Sequence, residues 1–197
     1  MTPAPSLGAE PGPLCVDLDG TLVAADLLVL SLRMAARSPH FLLGCPFHLV
    51  QGRAAFKAWV ARQILPDLEH LPWHQPFLAW LRSAREAGRP LLLATAADSR
   101  VAHAVAEYLG FFDGVLASDG ITNLKGSRKA AALEARYGRG RYVYAGNSRA
   151  DLPVWRSAGH AVVVNASPQL LARVRTLAAV EAVFPAPPPH PALRSEA

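Results

Sequence analysis

Short, uninterrupted apolar runs alternate with longer stretches of helical length along this chain. The runs are Leu14-Cys15-Val16, Leu91-Leu92-Leu93-Ala94, Val115-Leu116-Ala117, Tyr142-Val143-Tyr144-Ala145 and Ala161-Val162-Val163-Val164. A strand that is apolar at every position is buried on both faces, as in a parallel sheet covered by helices. The stretches between them, at about 99–109, 126–137, 150–158 and 168–180, have helical length and composition. This alternation predicts an α/β fold, a doubly wound, Rossmann-like parallel sheet with helices on both faces.

One segment breaks the rhythm. Residues 23–88 separate the first two strands and contain no strand pattern. They read as helices at about 25–37, 52–65 and 74–87, punctuated by Pro39, Pro46, Pro66 and Pro72. A helical insertion after the first strand predicts a small cap over the sheet's C-terminal edge, where open α/β sheets form their clefts. The expected organisation is a tail at 1–12, a core made of 13–22 and 89–180, the cap at 23–88 and a Pro-rich tail at 185–197.

Composition narrows this picture. Of the 197 residues, 51% are hydrophobic and 18% charged, which suits a buried core and argues against wholesale disorder. The net charge of +5 is scattered, with no tight basic run. That reads as a basic surface suited to phosphates or an anionic membrane face, and no nucleic-acid site is expected. Cys15 and Cys45 are too few for a disulfide framework, and residues 1–13 lack a signal pattern, so a cytoplasmic location is expected. The most apolar region, Phe41 to Val50, contains Gly44, Pro46 and His48 and is too short to span a bilayer.

The chemistry begins at Asp17-Leu18-Asp19-Gly20-Thr21-Leu22, directly after the first strand. Both acids would stand at the strand's end, facing the cleft, and Gly20 lets the chain turn away sharply. Three later positions stand at comparable places. Thr95 ends the second apolar run. Lys125 precedes the helix from about 127, with Arg128 and Lys129 as competitors one turn along. Gly146-Asn147-Ser148-Arg149-Ala150-Asp151 follows the fourth run. His70 and His74 have helical metal-ligand spacing, but Pro72 between them disfavours a regular helix. Ser148 has no evident base partner.

These four elements, in this order, resemble the haloacid dehalogenase-like hydrolases, most of which are phosphatases. The resemblance covers about residues 13–178. The insertion between the first and second elements resembles the helical cap of phosphoserine phosphatase relatives. The strings Leu93-Ala94-Thr95-Ala96-Ala97-Asp98, Ala117-Ser118-Asp119-Gly120, Asn123-Leu124-Lys125-Gly126 and Asp151-Leu152-Pro153-Val154-Trp155 are similar to the phosphatase-like domain joined to UbiA-type membrane prenyltransferases. The resemblance implies an Mg²⁺-dependent phosphatase. Asp17 would be the nucleophile and Asp19 the acid/base, with Thr95, Ala96 and Lys125 on the phosphoryl group. Asp17, the Asp19 carbonyl, Asn147 and Asp151 would hold Mg²⁺. Asn147 departs from the commonest pattern, which has Asp there; an amide oxygen can ligate Mg²⁺ but brings no charge.

In that reading Asp17 attacks phosphorus to form an aspartyl phosphate, and Asp19 protonates the leaving oxygen and then activates water. The substrate class is a small organic phosphate monoester, extended by the UbiA resemblance to isoprenoid- or lipid-linked phosphates. Two alternatives stand beside it. One is phosphotransfer to an acceptor other than water. The other is a weakly active regulatory or binding partner, peripherally associated with a membrane prenyltransferase. The cap contacts considered are Asp26, Arg33, Arg53 and Lys57.

Overall fold

The structure is a computed structural model that describes residues 12–35 and 39–186. Six strands form one parallel sheet: β1 (Leu14–Val16), β2 (Leu91–Asp98), β3 (Gly114–Ser118), β4 (Val143–Gly146), β5 (His160–Val164) and β6 (Ala179–Phe184). Their spatial order is β3-β2-β1-β4-β5-β6. The order reverses beside β1, and a crevice opens there at the strands' carboxyl ends. The expected fold class is therefore the observed one.

Alternation along β1 shows why the sheet needs covering on both sides. Leu14 and Val16 join a core layer with Leu91, Leu93, Val143 and Val162. Cys15 points into the opposite layer with Leu92, Tyr144, Trp155 and Val163. The first layer is closed by α4 (Gln75–Glu86) and α5 (Ser99–Leu109), through Phe77, Leu78, Leu81, Val101 and Val105. The second is closed by α6 (Ser127–Tyr137), α7 (Leu152–Ser157) and α8 (Pro168–Arg175).

Between β1 and β2 run α1 (Leu27–Ala35), α2 (Pro39–Val50), α3 (Arg53–Gln63) and then α4. The first three share a cluster of their own, built on Ala35, Phe41, Phe56 and Val60. Phe41 and His48 each stack on Trp59, with ring centroids 4.6 Å apart. The segment's entry and exit lie side by side: Ala24 N–H donates to Pro72 O at 2.9 Å, and His74 N–H to Leu22 O at 2.9 Å.

Two elements differ from the sequence reading. The α2 helix was not expected, because Pro39 and Pro46 read as punctuation. Pro39 opens it, where a missing N–H costs nothing. The helix expected over 168–180 ends at Arg175, and the chain turns into β6, which pairs with β5. Ala179–Phe184 alternates exposed and half-buried positions, the period-2 pattern of an edge strand. The expected tails at 1–12 and 185–197 lie almost wholly outside the described residues.

Candidate active site

The loop after β1 builds the floor of the site. Asp17 N–H donates to Ala145 O of β4 at 2.9 Å, so the residue leaves the sheet at the reversal of strand order. Gly20 then turns the chain with φ of +74°, a conformation that favours glycine. It also permits contact: a Cβ there would lie 1.9 Å from Asn147 Nδ2. Asn165 Nδ2, beyond β5, donates to Gly20 O at 2.7 Å and braces the turn.

A cleft of about 380 Å³ stands above this floor. Its lining brings together Asp17, Asp19, Ala96, Lys125, Asn147 and Asp151. Thr95 is not among the lining residues. It is fully buried, and its Oγ1 accepts from Ala97 N–H at 3.0 Å. Lys125 is exposed at the rim.

The buried cation is Lys129, at one of the two competitor positions. Its Nζ donates to Asp17 Oδ1 at 2.8 Å and to Tyr144 OH at 2.7 Å, and stands 3.9 Å from Asp151 Oδ1. Tyr144 OH donates to Asp151 Oδ1 at 2.8 Å. Asp151 Oδ2 accepts from Ser148 N–H and Oγ, both at 3.0 Å, closing a capping box at the start of a short 3₁₀ turn. The result is a continuous chain, Asp17–Lys129–Tyr144–Asp151. Helical spacing placed Lys129 one turn beyond Lys125, but only the packing of α6 against this face of the sheet decided which amine enters the core. Tyr144 read as an apolar strand residue, and nothing in the sequence marked its hydroxyl.

Electrostatics follow from burial. Desolvation raises the Asp17 carboxyl above its usual range, and the Lys129 ammonium opposes the rise. Burial also raises Asp19, while the Leu27 N–H, donating to its Oδ1 at 2.8 Å, pulls the other way. From the insertion, Lys57 on α3 lines the same cleft and donates to Ala96 O at 2.8 Å. Burial lowers the pKa of Lys57. Asp26 also lines the cleft, whereas Arg33 and Arg53 are exposed and not among its lining residues.

The donor set can be tested against Mg²⁺. Among the described residues no three His, Cys, Asp or Glu side chains form a metal cluster. Four carboxylates line the cleft, Asp17, Asp19, Asp26 and Asp151, and the expected ligands among these residues are Asp17 and Asp151 with the Asn147 amide and the Asp19 backbone. Mg²⁺ takes hard oxygen donors, keeps several waters and needs only one or two carboxylates, so the set fits with less charge than an all-acid site. The two histidines lie elsewhere: His70 pairs with Asp67 at 2.8 Å, and His74 Nδ1 caps α4 by accepting from Phe77 N–H at 3.2 Å.

Comparison with known proteins gives three findings. Residues 14–156 match the family model described as haloacid dehalogenase-like hydrolase. A curated protein of Sinorhizobium fredii (strain NBRC 101917 / NGR234), described as uncharacterized protein y4nM, is 41% identical over 153 residues. That match covers 77% of this chain, and the chain spans about 30% of the relative's length. Among solved structures, a Bordetella pertussis Tohama I protein of unknown function superposes with a TM-score of 0.63 at 17% identity, over 88% of this chain and 99% of that one. A substrate-bound phosphoserine phosphatase superposes with a TM-score of 0.59 at 14% identity, over 90% and 94% of the two chains.

Proposed function

Because the chain belongs to the haloacid dehalogenase-like hydrolase family, we propose that it is a magnesium-dependent phosphomonoesterase with Asp17 as nucleophile. The observation that carries this reading is the Asp17 carboxylate, held by Lys129 at 2.8 Å on the floor of a cleft that Asp19 shares.

Phosphate monoesters are among the slowest substrates to hydrolyse unaided, and an anionic nucleophile is repelled by an anionic phosphate. Lys129 orients Asp17 through Oδ1. Asp17 attacks phosphorus, and the ester oxygen leaves with the proton of Asp19. The burial that raises Asp19 favours the protonated form needed for that donation. Asp19, now ionised, takes a proton from the water that attacks the aspartyl phosphate, and phosphate departs. Lys125 at the rim and Lys57 from α3 add positive charge around the transferring group. The Ala96 backbone lines the phosphoryl pocket, and Thr95 supports it from beneath. Asp17, the Asp19 carbonyl, Asn147 and Asp151 would hold Mg²⁺, which would supply positive charge to offset the repulsion.

We take α1–α3 as the working cap, since they pack around their own cluster while α4 is part of the sheet's core. The substrate is an organic phosphate monoester, and the resemblance to UbiA-associated domains keeps isoprenoid- or lipid-linked phosphates in that class. The uncharged Asn147 favours one second reading, a weakly active regulatory module. A panel of phosphate esters with and without Mg²⁺ separates the two. Absence of magnesium-dependent turnover on every ester by folded protein would sink the phosphatase reading. The variant Asp17→Asn should abolish turnover with the fold intact; retained turnover would remove Asp17 from its role.

A further inference from the structure

The insertion carries a second asymmetry, away from the cleft. Between Asp26 and Asp67 the sequence contains no acidic residue, but it contains Arg33, Arg37, Arg53, Lys57 and Arg62. Nine large apolar side chains are exposed among the described residues, and six of them fall in this interval: Val29, Met34, Phe47, Leu49, Val50 and Leu65. The interval is thus one-signed in charge and has apolar groups facing outward.

Four of these groups, Phe47, Leu49, Val50 and Arg53, lie at one place. Helices α2 and α3 form a hairpin joined by Gln51 and Gly52, and Gly52 N–H donates to Leu49 O at 3.2 Å. Phe41, Phe56 and Trp59 fill the hairpin's interior. Its tip leaves Phe47 64%, Leu49 58% and Val50 83% exposed, with Arg53 exposed beside them. Phe47 and Val50 are three residues apart and share a helix face. Helix α2 itself, Pro39–Val50, contains no Asp, Glu, Lys or Arg. No helix of the described residues is long and apolar enough to cross a membrane.

Apolar side chains at a tip, with Arg53 beside them and no carboxylate anywhere between Asp26 and Asp67, suit the headgroup layer of an anionic bilayer. The apolar groups enter the acyl boundary and the arginines meet lipid phosphates. We propose that the α2–α3 tip is a membrane-surface element that seats this protein on bilayers rich in anionic lipid. A protein partner matched to this surface by area alone would not need the absence of every acid. The consequence for the cleft is geometric: α3 carries Arg53 at the tip and Lys57 at the cleft, about 6 Å apart along the axis. A seated tip therefore brings the lipid surface beside the cleft mouth. The proposal does not depend on which reaction the cleft performs.

The test is flotation of the full chain with vesicles of phosphatidylcholine alone or mixed with phosphatidylglycerol. Binding is expected to the mixed vesicles only and to weaken as salt rises. Phe47→Glu/Val50→Glu should reduce it at least tenfold while ester turnover in solution stays unchanged. Both side chains are exposed, so the variant should keep the parent circular dichroism and melting profile. A second variant, Arg53→Glu, leaves the apolar tip intact and should also lose at least tenfold, since it reverses a charge at the tip and each unit of charge near an anionic surface contributes about fivefold. Three results would overturn the proposal: no flotation with mixed vesicles, binding that both variants retain, or a dimer in sedimentation that Phe47→Glu/Val50→Glu dissociates in a chain that never floats.

Discussion

Replacing Lys129 by Met removes the buried ammonium and leaves a side chain of similar length. At 2.8 Å from Asp17 and 3.9 Å from Asp151, the Coulomb attractions are roughly 6 and 4 kcal/mol at an effective dielectric of 20. The desolvation of the ammonium offsets much of this. The net cost of breaking a buried pair from one side is about 3–5 kcal/mol, because the partner charge stays buried. With a urea slope of about 2 kcal/mol per molar, the unfolding midpoint should fall by about 2 M. The loss depends on pH. Without Lys129 the Asp17 carboxyl, already raised by burial, rises further. A carboxyl whose folded pKa lies above its unfolded value costs nothing while protonated in both states, and destabilises progressively as pH climbs from about 4 through the folded value. The midpoint deficit should therefore be larger at pH 8 than at pH 5. Turnover on an ester should fall at least about a hundredfold, the scale for removing one stabilising charge or donor at a phosphoryl site. Lys125→Met is the control, since Lys125 is exposed at the rim; it should leave the unfolding free energy within about 0.5 kcal/mol of the parent. If Lys129→Met unfolds at the parent midpoint and turns over normally while Lys125→Met is inactive, Lys125 is the functional cation and the geometric assignment is refuted.

Three further outcomes are expected. Tyr144→Phe deletes the hydroxyl between Lys129 and Asp151; leaving their polar groups short of a partner should cost about 1–3 kcal/mol in urea unfolding. Asn147→Asp adds a carboxylate to the cleft and should tighten Mg²⁺ binding in calorimetric titration; an unchanged affinity would refute the charge argument for that loop. Gly20→Ala places a methyl group 1.9 Å from Asn147 Nδ2 at φ +74°, and should lower stability by at least about 1 kcal/mol and weaken Mg²⁺ binding together. Loss of stability with Mg²⁺ affinity intact would show that Asn147 does not serve the metal.

The core strands were legible because burial on both faces forces unbroken apolar runs, as in Leu91–Ala94 and Ala161–Val164. The acids at 17 and 19 were legible because a strand's carboxyl end in an α/β sheet has one place to point. The edge strand β6 was not, since half its face meets solvent and its six residues follow a helical pattern without a break. The α2 helix was hidden by its own prolines: Pro39 costs nothing at the helix start, and the packing of Phe41 on Trp59 helps to offset the interior Pro46. The sequence by itself determined five of the six strands, the helices that cover them and the position of Asp17, Asp19, Asn147 and Asp151 in loops that follow strands; Thr95 and Lys125 were candidates it could name but not place. Only the tertiary structure decided that Lys129 is the buried ammonium, that Tyr144 links it to Asp151, and that Lys57 reaches the cleft. The physical reason is range. Periodicity and turn chemistry act within a few residues, whereas Asp17 meets Lys129 across more than a hundred, and such a pairing exists only once the sheet has brought the end of β1 and the helix α6 together.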